Sequence, residues 1–298
     1  PSIRTTVPIS EDPALVVALA DVTFHRGTRE LSHLMVGIRD ADGPAETGIC
    51  PIDDHEYYEA LDDPRDLAIL LTHIRASATF GDSPGVEFRS AVGAGRLEPL
   101  PEHPRPAGHD QSNTSVVFED RMILKAYRHL EPGINPELEI LRFLAAHDFP
   151  HTPPLLGWWE HRGPPLDTTI GVLPHFQADT EDGWEYVVRA LREGRGDRLM
   201  PALGRLGAVT GELHATLASE RTDPAFVPEE VSPEGLALMS AALDELTTDV
   251  FASLPDDPAV AAVAGRSDDI RDRLSGVSKS TGLGRKIRVH GDLHLGQA

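Results

Sequence analysis

The sequence predicts an α+β protein in which strands come first and helices last. Three observations predict it: a β-rich hairpin pattern near the start, a β-β-α-β succession in the middle, and helical periodicity from residue 183 onward.

Ala14 to Phe24 (ALVVALADVTF) is a β-rich apolar run, and the turn-prone His25 to Arg29 separates it from a second run, Glu30 to Ile38. Two such runs around a short Gly-containing loop predict an antiparallel hairpin. Ala41 to Asp54 is loop-like. Asp66 to Arg75 places Leu67, Ile69, Leu70, Leu71 and Ile74 near helical spacing, with a strand as the alternative. Prolines 99, 101, 104 and 106 predict a boundary linker. Ser115 to Phe118 and Met122 to Tyr127 form a second hairpin pattern. Asn135-Pro136-Glu137 then opens a helix, with Asn as N-cap, Pro in the first turn and acidic residues at the positive end of the dipole. That helix should run to about His147, with Leu138, Leu141, Leu144 and Ala145 on one face. Thr169 to Leu173 is a third strand ending at Pro174, and helices follow over Trp184 to Glu193, Leu203 to Leu217 and Leu236 to Ala252. The acidic stretch Asp244 to Asp272 is a solvated helical face.

Composition bounds the function. The 298 residues carry 48 acidic against 27 basic side chains, a net charge of −21, which disfavours nucleic acid and anionic membrane as partners. The start has no basic segment followed by an apolar one, and no run is apolar enough to span a bilayer. The single cysteine, Cys50, fits a reducing compartment, so a cytoplasmic location is expected. The chain begins without Met, so upstream residues are expected.

Chemistry concentrates near the end, in His290-Gly291-Asp292-Leu293-His294-Leu295-Gly296-Gln297. Arg288-Val289 reads as the end of a short strand from which His290-Gly291-Asp292 turns. Asp292, on a tight loop, can take a proton from a substrate hydroxyl, and Gln297 can offer Mg²⁺ an oxygen ligand. His290 and His294 lack the intervening Glu of a zinc-protease helix, and Gly291 disfavours helix. Upstream, Gln111, Ser112, Asn113, Thr114 and Ser115 form a small polar run, either an ordinary turn or a cradle for phosphate oxygens. Lys125 alternates with Ile123 and Tyr127 on a strand face, where it requires a carboxylate or an anionic ligand.

The C-terminal string resembles the HGDxHxGN/Q loop of the aminoglycoside phosphotransferase and choline kinase superfamily. HGDLHLGQ, with the strings QSNTSV, ILK and GINP in that order, resembles the bacterial maltokinases in particular. The resemblance implies a bilobal protein-kinase-like fold with a β-rich N-terminal cap: cap 1–98, N-lobe 99–176 and helical C-lobe 177–298. It implies transfer of the γ-phosphate of ATP, with Mg²⁺, to a small-molecule sugar, the anomeric hydroxyl of maltose, by a monomer or weak homodimer. Lys125 would bind phosphate with Glu139 as its helix partner, or Glu137 as the fallback. His175 and Phe176 would form a hinge whose backbone meets adenine, Pro174 having removed one donor. Asp292, His294 and Trp184 are the sugar-facing candidates, core packing being the alternative for Trp184; His214 is a packed helix histidine.

Members of this superfamily continue past such a loop with an Asp-Phe-x-Gly-like metal strand and further helices. The chain is therefore expected to be the N-terminal portion of a longer polypeptide. The usual aromatic-rich opening segment has no counterpart here, which weakens the inference to maltose. The competing readings are a kinase for glucosamine or another monosaccharide, an aminoglycoside kinase, and a non-catalytic pseudokinase scaffold.

Overall fold

The structure, a computed structural model, describes residues 1–24, 27–40, 48–52, 54–91, 97, 101, 103–109, 113–178, 180–255, 257–278 and 284–297. Internal contacts divide the chain into two units, Pro1–Tyr186 and Val187–Ala298.

The first unit opens with strands β1 (Ser2–Glu11), β2 (Ala14–Thr23), β3 (Arg29–Asp40), β4 (Gly48–Ile52) and β5 (His55–Glu59), hydrogen-bonded in the order β1-β2-β3-β5-β4. The predicted hairpin is β2–β3, in register from Ala14↔Ile38 to Thr23↔Arg29. Strand β1 is an addition to the sequence reading. It is an edge strand that buries only Val7 and Ile9 among polar neighbours, too few apolar side chains for a strong alternation signal. The ambiguous segment is helix α1 (Pro64–Ala76). Asp63 caps it by accepting from the Arg65 N–H at 2.8 Å, and Leu67, Leu70, Leu71 and Ile74 are buried.

A second sheet contains β6 (Thr79–Phe80), β7 (Gly85–Ser90), β8 (Pro104–His109), β9 (Asn113–Phe118) and β10 (Met122–Tyr127). After β11 (His129–Leu130) and helix α2 (Pro136–Ala146), β12 (Leu155–Arg162) and β13 (Thr168–Pro174) complete it. Its order is β6-β7-β12-β13-β10-β9-β8, and every pairing is antiparallel. The segment expected as a linker is therefore partly strand: Pro104 and Pro106 sit on edge strand β8, where a missing N–H interrupts no inner ladder. Residues 79–90, as β6 and β7, lie in the same sheet as β8, β9, β10, β12 and β13. The β9–β10 reversal is tight, with Glu119 and Asp120 at φ 46° and 52° and the Arg121 N–H donating to the Phe118 carbonyl at 2.9 Å. Strand β11 leaves this sheet and pairs with β3, so the chain after β10 enters the first sheet.

Helix α2 runs as expected, although Phe143 is buried where Ala145 was expected and Ala145 is exposed. Strand β12 went unread in the sequence, yet it lies between β7 and β13 and carries Trp159, fully buried. Trp159 faces Gly171 of β13 in register, and its indole covers the space a Cβ there would need.

The second unit is mainly helical. Helix α3 (Gly183–Arg192) runs across the division, followed by α4 (Gly196–Leu217), α5 (Pro233–Ala252), α6 (Ala261–Ala264) and α7 (Ser267–Ser278). A two-strand pair joins β14 (Glu229–Glu230) to β15 (Arg285–Lys286). Arg271 of α7 donates to Asp244 of α5 at 2.8 Å and to Thr248 at 2.9 Å. No helix among the described residues is long and apolar enough to cross a membrane.

A Cβ at position 171 would overlap the Trp159 ring and the Lys125 carbonyl, whereas one at Gly204 in α4 meets nothing within 4 Å. Gly171→Ala should therefore lower stability by about 1–3 kcal/mol in urea titrations. Gly204→Ala should be neutral or stabilising by up to ~1 kcal/mol.

Candidate active site

Lys125 lies on β10, between β9 and β13 in the second sheet. Its partner comes from the first turn of α2, where Glu137 Oε1 is 2.6 Å from Lys125 Nζ. The expected partner Glu139 is thus replaced by the fallback. Two residues further on, a side chain projects about 200° around the helix, so one carboxylate alone of the two can face the strand. The start of α2 is fixed twice. Asn135 Oδ1 accepts the Glu137 N–H at 2.9 Å, and the Asn135 N–H donates to Thr169 Oγ1 of β13 at 3.0 Å. Tyr127, two residues after Lys125 and so on the same strand face, donates its hydroxyl to Glu137 Oε2 at 2.8 Å.

The register sorts the polar run ahead of Lys125. Ser115 pairs with Lys125 and Asn113 with Tyr127, so both stand on the lysine's face. Thr114 pairs with Ala126 and faces the other way, where its hydroxyl accepts from Arg128 Nε at 2.8 Å. Arg128 also pairs with Glu59 of β5 at 2.8 Å. Thr114 is thereby tied to the first sheet rather than grouped with Lys125. Gln111 and Ser112 lie outside the described residues.

The hinge candidates also differ from expectation. The His175 N–H donates to the Pro154 carbonyl at 2.8 Å and the Phe176 N–H to the Arg121 carbonyl at 2.9 Å. Both donors expected to meet adenine are engaged within the chain. The Phe176 ring lies 5.5 Å from the Arg105 guanidinium.

Behind Tyr127 sits His33, fully buried on β3. Its Nδ1 is 3.3 Å from the Tyr127 carbonyl, so the neutral ring carries its proton there and Nε2 has no partner. Burial, with the Arg128 charge second, lowers its pKa from 6.5 to about 3.

In the second unit the short strand lies at Arg285–Lys286, earlier than expected, and the loop from His290 is irregular. Gly291 takes φ 90°, which lets the chain reverse at Asp292. The loop caps itself with a repeated device. His290 Nδ1 accepts the Asp292 N–H at 3.3 Å, and His294 Nδ1 accepts the Gly296 N–H at 3.0 Å. Each ring must then carry its proton on Nε2 when neutral, and His294 Nε2 stands 3.9 Å from Asp292 Oδ2. The Asp292 side chain is 84% exposed. Gln297 closes a single 3₁₀ turn, Leu295–Gln297. Among the described residues, no three His, Cys, Asp or Glu side chains cluster for a metal ion. Trp184 is 61% exposed in the first turn of α3, its N–H held by Asp182 Oδ1 at 2.9 Å, so it is not a core side chain.

A family model described as the phosphotransferase enzyme family matches residues 103–296. A glucosamine kinase of Mycolicibacterium smegmatis is 27% identical over 200 residues, covering 65% of this chain and 48% of that protein. A glucosamine kinase of Streptacidiphilus jiangxiensis is 30% identical over 204 residues, covering 63% of this chain and 43% of that protein. The chain thus aligns with less than half the length of these curated relatives. Among solved structures, glucosamine kinase in complex with glucosamine, ADP and inorganic phosphate superposes with a TM-score of 0.69 at 19% identity, over 99% of this chain and 63% of that one. A second glucosamine kinase crystal form gives 0.67 at 20% identity, over 99% and 61%. At these identities the structural likeness is one of fold, and it agrees with the α+β kinase-like fold expected. These relatives carry the name glucosamine kinase, not maltokinase.

Between pH 6.5 and about 3 the unfolded chain binds a proton at residue 33 that the folded chain refuses. Stability should therefore fall with decreasing pH in that window, by on the order of 1.4 kcal/mol per pH unit, with no contribution above it. His33→Asn keeps a donor for the Tyr127 carbonyl without titrating. It should remove that slope in urea titrations between pH 7 and 4.5.

Proposed function

The chain belongs to the phosphotransferase enzyme family, and from that premise we propose an ATP-dependent sugar kinase acting on glucosamine. The observation that carries phosphoryl transfer is the Lys125–Glu137 pair, a strand lysine held from behind by a helix carboxylate, as phosphate binding in protein kinases requires. The name of the sugar rests on the two glucosamine kinases that share 27% and 30% of aligned residues, and it replaces maltose as the leading substrate.

In this reading Lys125 holds phosphate oxygens of ATP, with Ser115 and Asn113 on its own face. Asp292 orients the sugar hydroxyl and receives its proton. The hydroxyl oxygen forms the new bond to the γ-phosphorus, the bond from that phosphorus to the β,γ-bridging oxygen breaks, and ADP leaves with the electron pair. The neutral His294, with its proton on Nε2, can donate toward Asp292 or the sugar, and the exposed Trp184 offers an aromatic face to sugar C–H groups. Adenine would be met by groups other than the His175 and Phe176 amides, which are engaged within the chain. The Gln297 amide oxygen is a hard donor, which fits Mg²⁺ in kind, and this residue would hold it. Bound there, the ion would neutralise charge on the phosphates.

With the full-length protein and Mg-ATP, ADP release should depend on glucosamine, and Asp292→Asn should reduce turnover by roughly 10²–10⁴-fold. Turnover with maltose but not glucosamine would restore the maltokinase assignment of the sugar. Neither nucleotide binding nor ADP release with any sugar would favour a scaffold.

A further inference from the structure

We propose that Tyr127 is a positioning residue for the phosphate-binding lysine: its hydroxyl fixes the Glu137 carboxylate so that one oxygen is kept for Lys125. The proposal rests on the kinase reading for its consequence, but its geometry stands apart from it. Lys125 and Tyr127 alternate on one face of β10, and each donates to a different oxygen of the same carboxylate, at 2.6 Å and 2.8 Å. The two donors differ in setting. Lys125 and Glu137 are about one-third exposed, while Tyr127 is only 5% exposed.

That difference decides which contact anchors the other. An exposed lysine–carboxylate pair is weak, because two flexible side chains must be ordered and water competes for both. A buried tyrosine hydroxyl is costly to leave without a partner, and Glu137 supplies it. Tyr127 is itself held rigidly. Its carbonyl accepts from His33 Nδ1, and the next residue binds His33 from both sides: the His33 N–H donates to the Arg128 carbonyl at 3.0 Å and Arg128 Nη1 to the His33 carbonyl at 3.4 Å. His129 then pairs with Ser32 of β3. The ring therefore leaves a backbone clamped to the first sheet and carries its hydroxyl to Glu137. Rotation of the Glu137 carboxylate about its last bond, which would carry Oε1 away from Lys125, would break the tyrosine bond. The lysine's place is set through the carboxylate by a hydroxyl seated on the N-terminal sheet.

The test uses the full chain and two readouts. The first is the rate at which acetic anhydride labels Lys125, followed by mass spectrometry, which reports the amine's environment without nucleotide or sugar. Tyr127→Phe should raise labelling several-fold in the parent protein and leave it unchanged in a Glu137→Ala background, because the hydroxyl acts through Glu137. The second is the affinity for Mg-ATP, which should fall roughly tenfold with Tyr127→Phe, the KM for sugar staying level. Unchanged Lys125 labelling in a folded Tyr127→Phe protein, or equal increases in both backgrounds, would overturn the proposal. If Tyr127→Phe failed to fold, Tyr127→Leu, which is apolar, smaller and has no donor, would take its place under the same criteria. Labelling that responds as expected in a protein binding no nucleotide would uphold the positioning role and refute the kinase reading instead.

Discussion

One continuous run, Met122 to Leu130, belongs to both sheets of the first unit, and much of the site depends on that constraint. As β10 it pairs with β9 and β13, and as β11 it pairs with β3. Lys125 stands on one side of the crossing and Arg128 occupies it, bonded to Glu59, Thr114 and the His33 carbonyl. A strand shared in this way cannot slip by one residue, because a slip would exchange its buried and polar faces in one sheet and unpair it in the other. The position of Lys125 is therefore set by two ladders at once.

Electrostatics give the Lys125–Glu137 pair a particular character. The pair is electrically neutral as a unit, so it orients an amine without adding net positive charge. A chain carrying −21 would repel ATP at long range. Salt confines that repulsion to about 8–10 Å, within which local cations decide the outcome. In the proposed reading the lysine serves placement, and a divalent ion would supply the charge. Being about one-third exposed, the pair contributes little to stability, and so its conformational control is the more telling property.

Where the sequence was legible, the signal was local. The β2–β3 and β9–β10 hairpins each carry two strand-like runs around a short turn, and α2 announces itself through Asn135, Pro136 and Glu137. Where it was not, the element depended on neighbours distant along the chain. Strand β12 combines a Gly with two adjacent Trp residues, and only its place between β7 and β13 makes that a strand. Pro104 and Pro106 look like a linker because prolines are excluded from inner strands, while an edge strand tolerates them. Strand β1 is likewise an edge with one thin buried stripe.

By itself the sequence determined the class of fold, through its hairpin and helix patterns, and the broad phosphotransferase family, through the loop from His290 to Gln297. The maltokinase-like strings around Lys125 did not fix the subgroup, since the curated relatives are named glucosamine kinases. The sequence also set the backbone capping of the loop, since each histidine reaches an N–H only two residues ahead. Tertiary structure alone decided which glutamate meets Lys125, that Tyr127 shares that carboxylate, that Thr114 turns toward Arg128, and that the amides of His175 and Phe176 are already bound. Each of those outcomes depends on the angle at which a helix or strand meets a partner far away in the chain. A hydrogen bond changes owner with a shift of an ångström or with a third of a turn, and no periodicity within one segment records that angle.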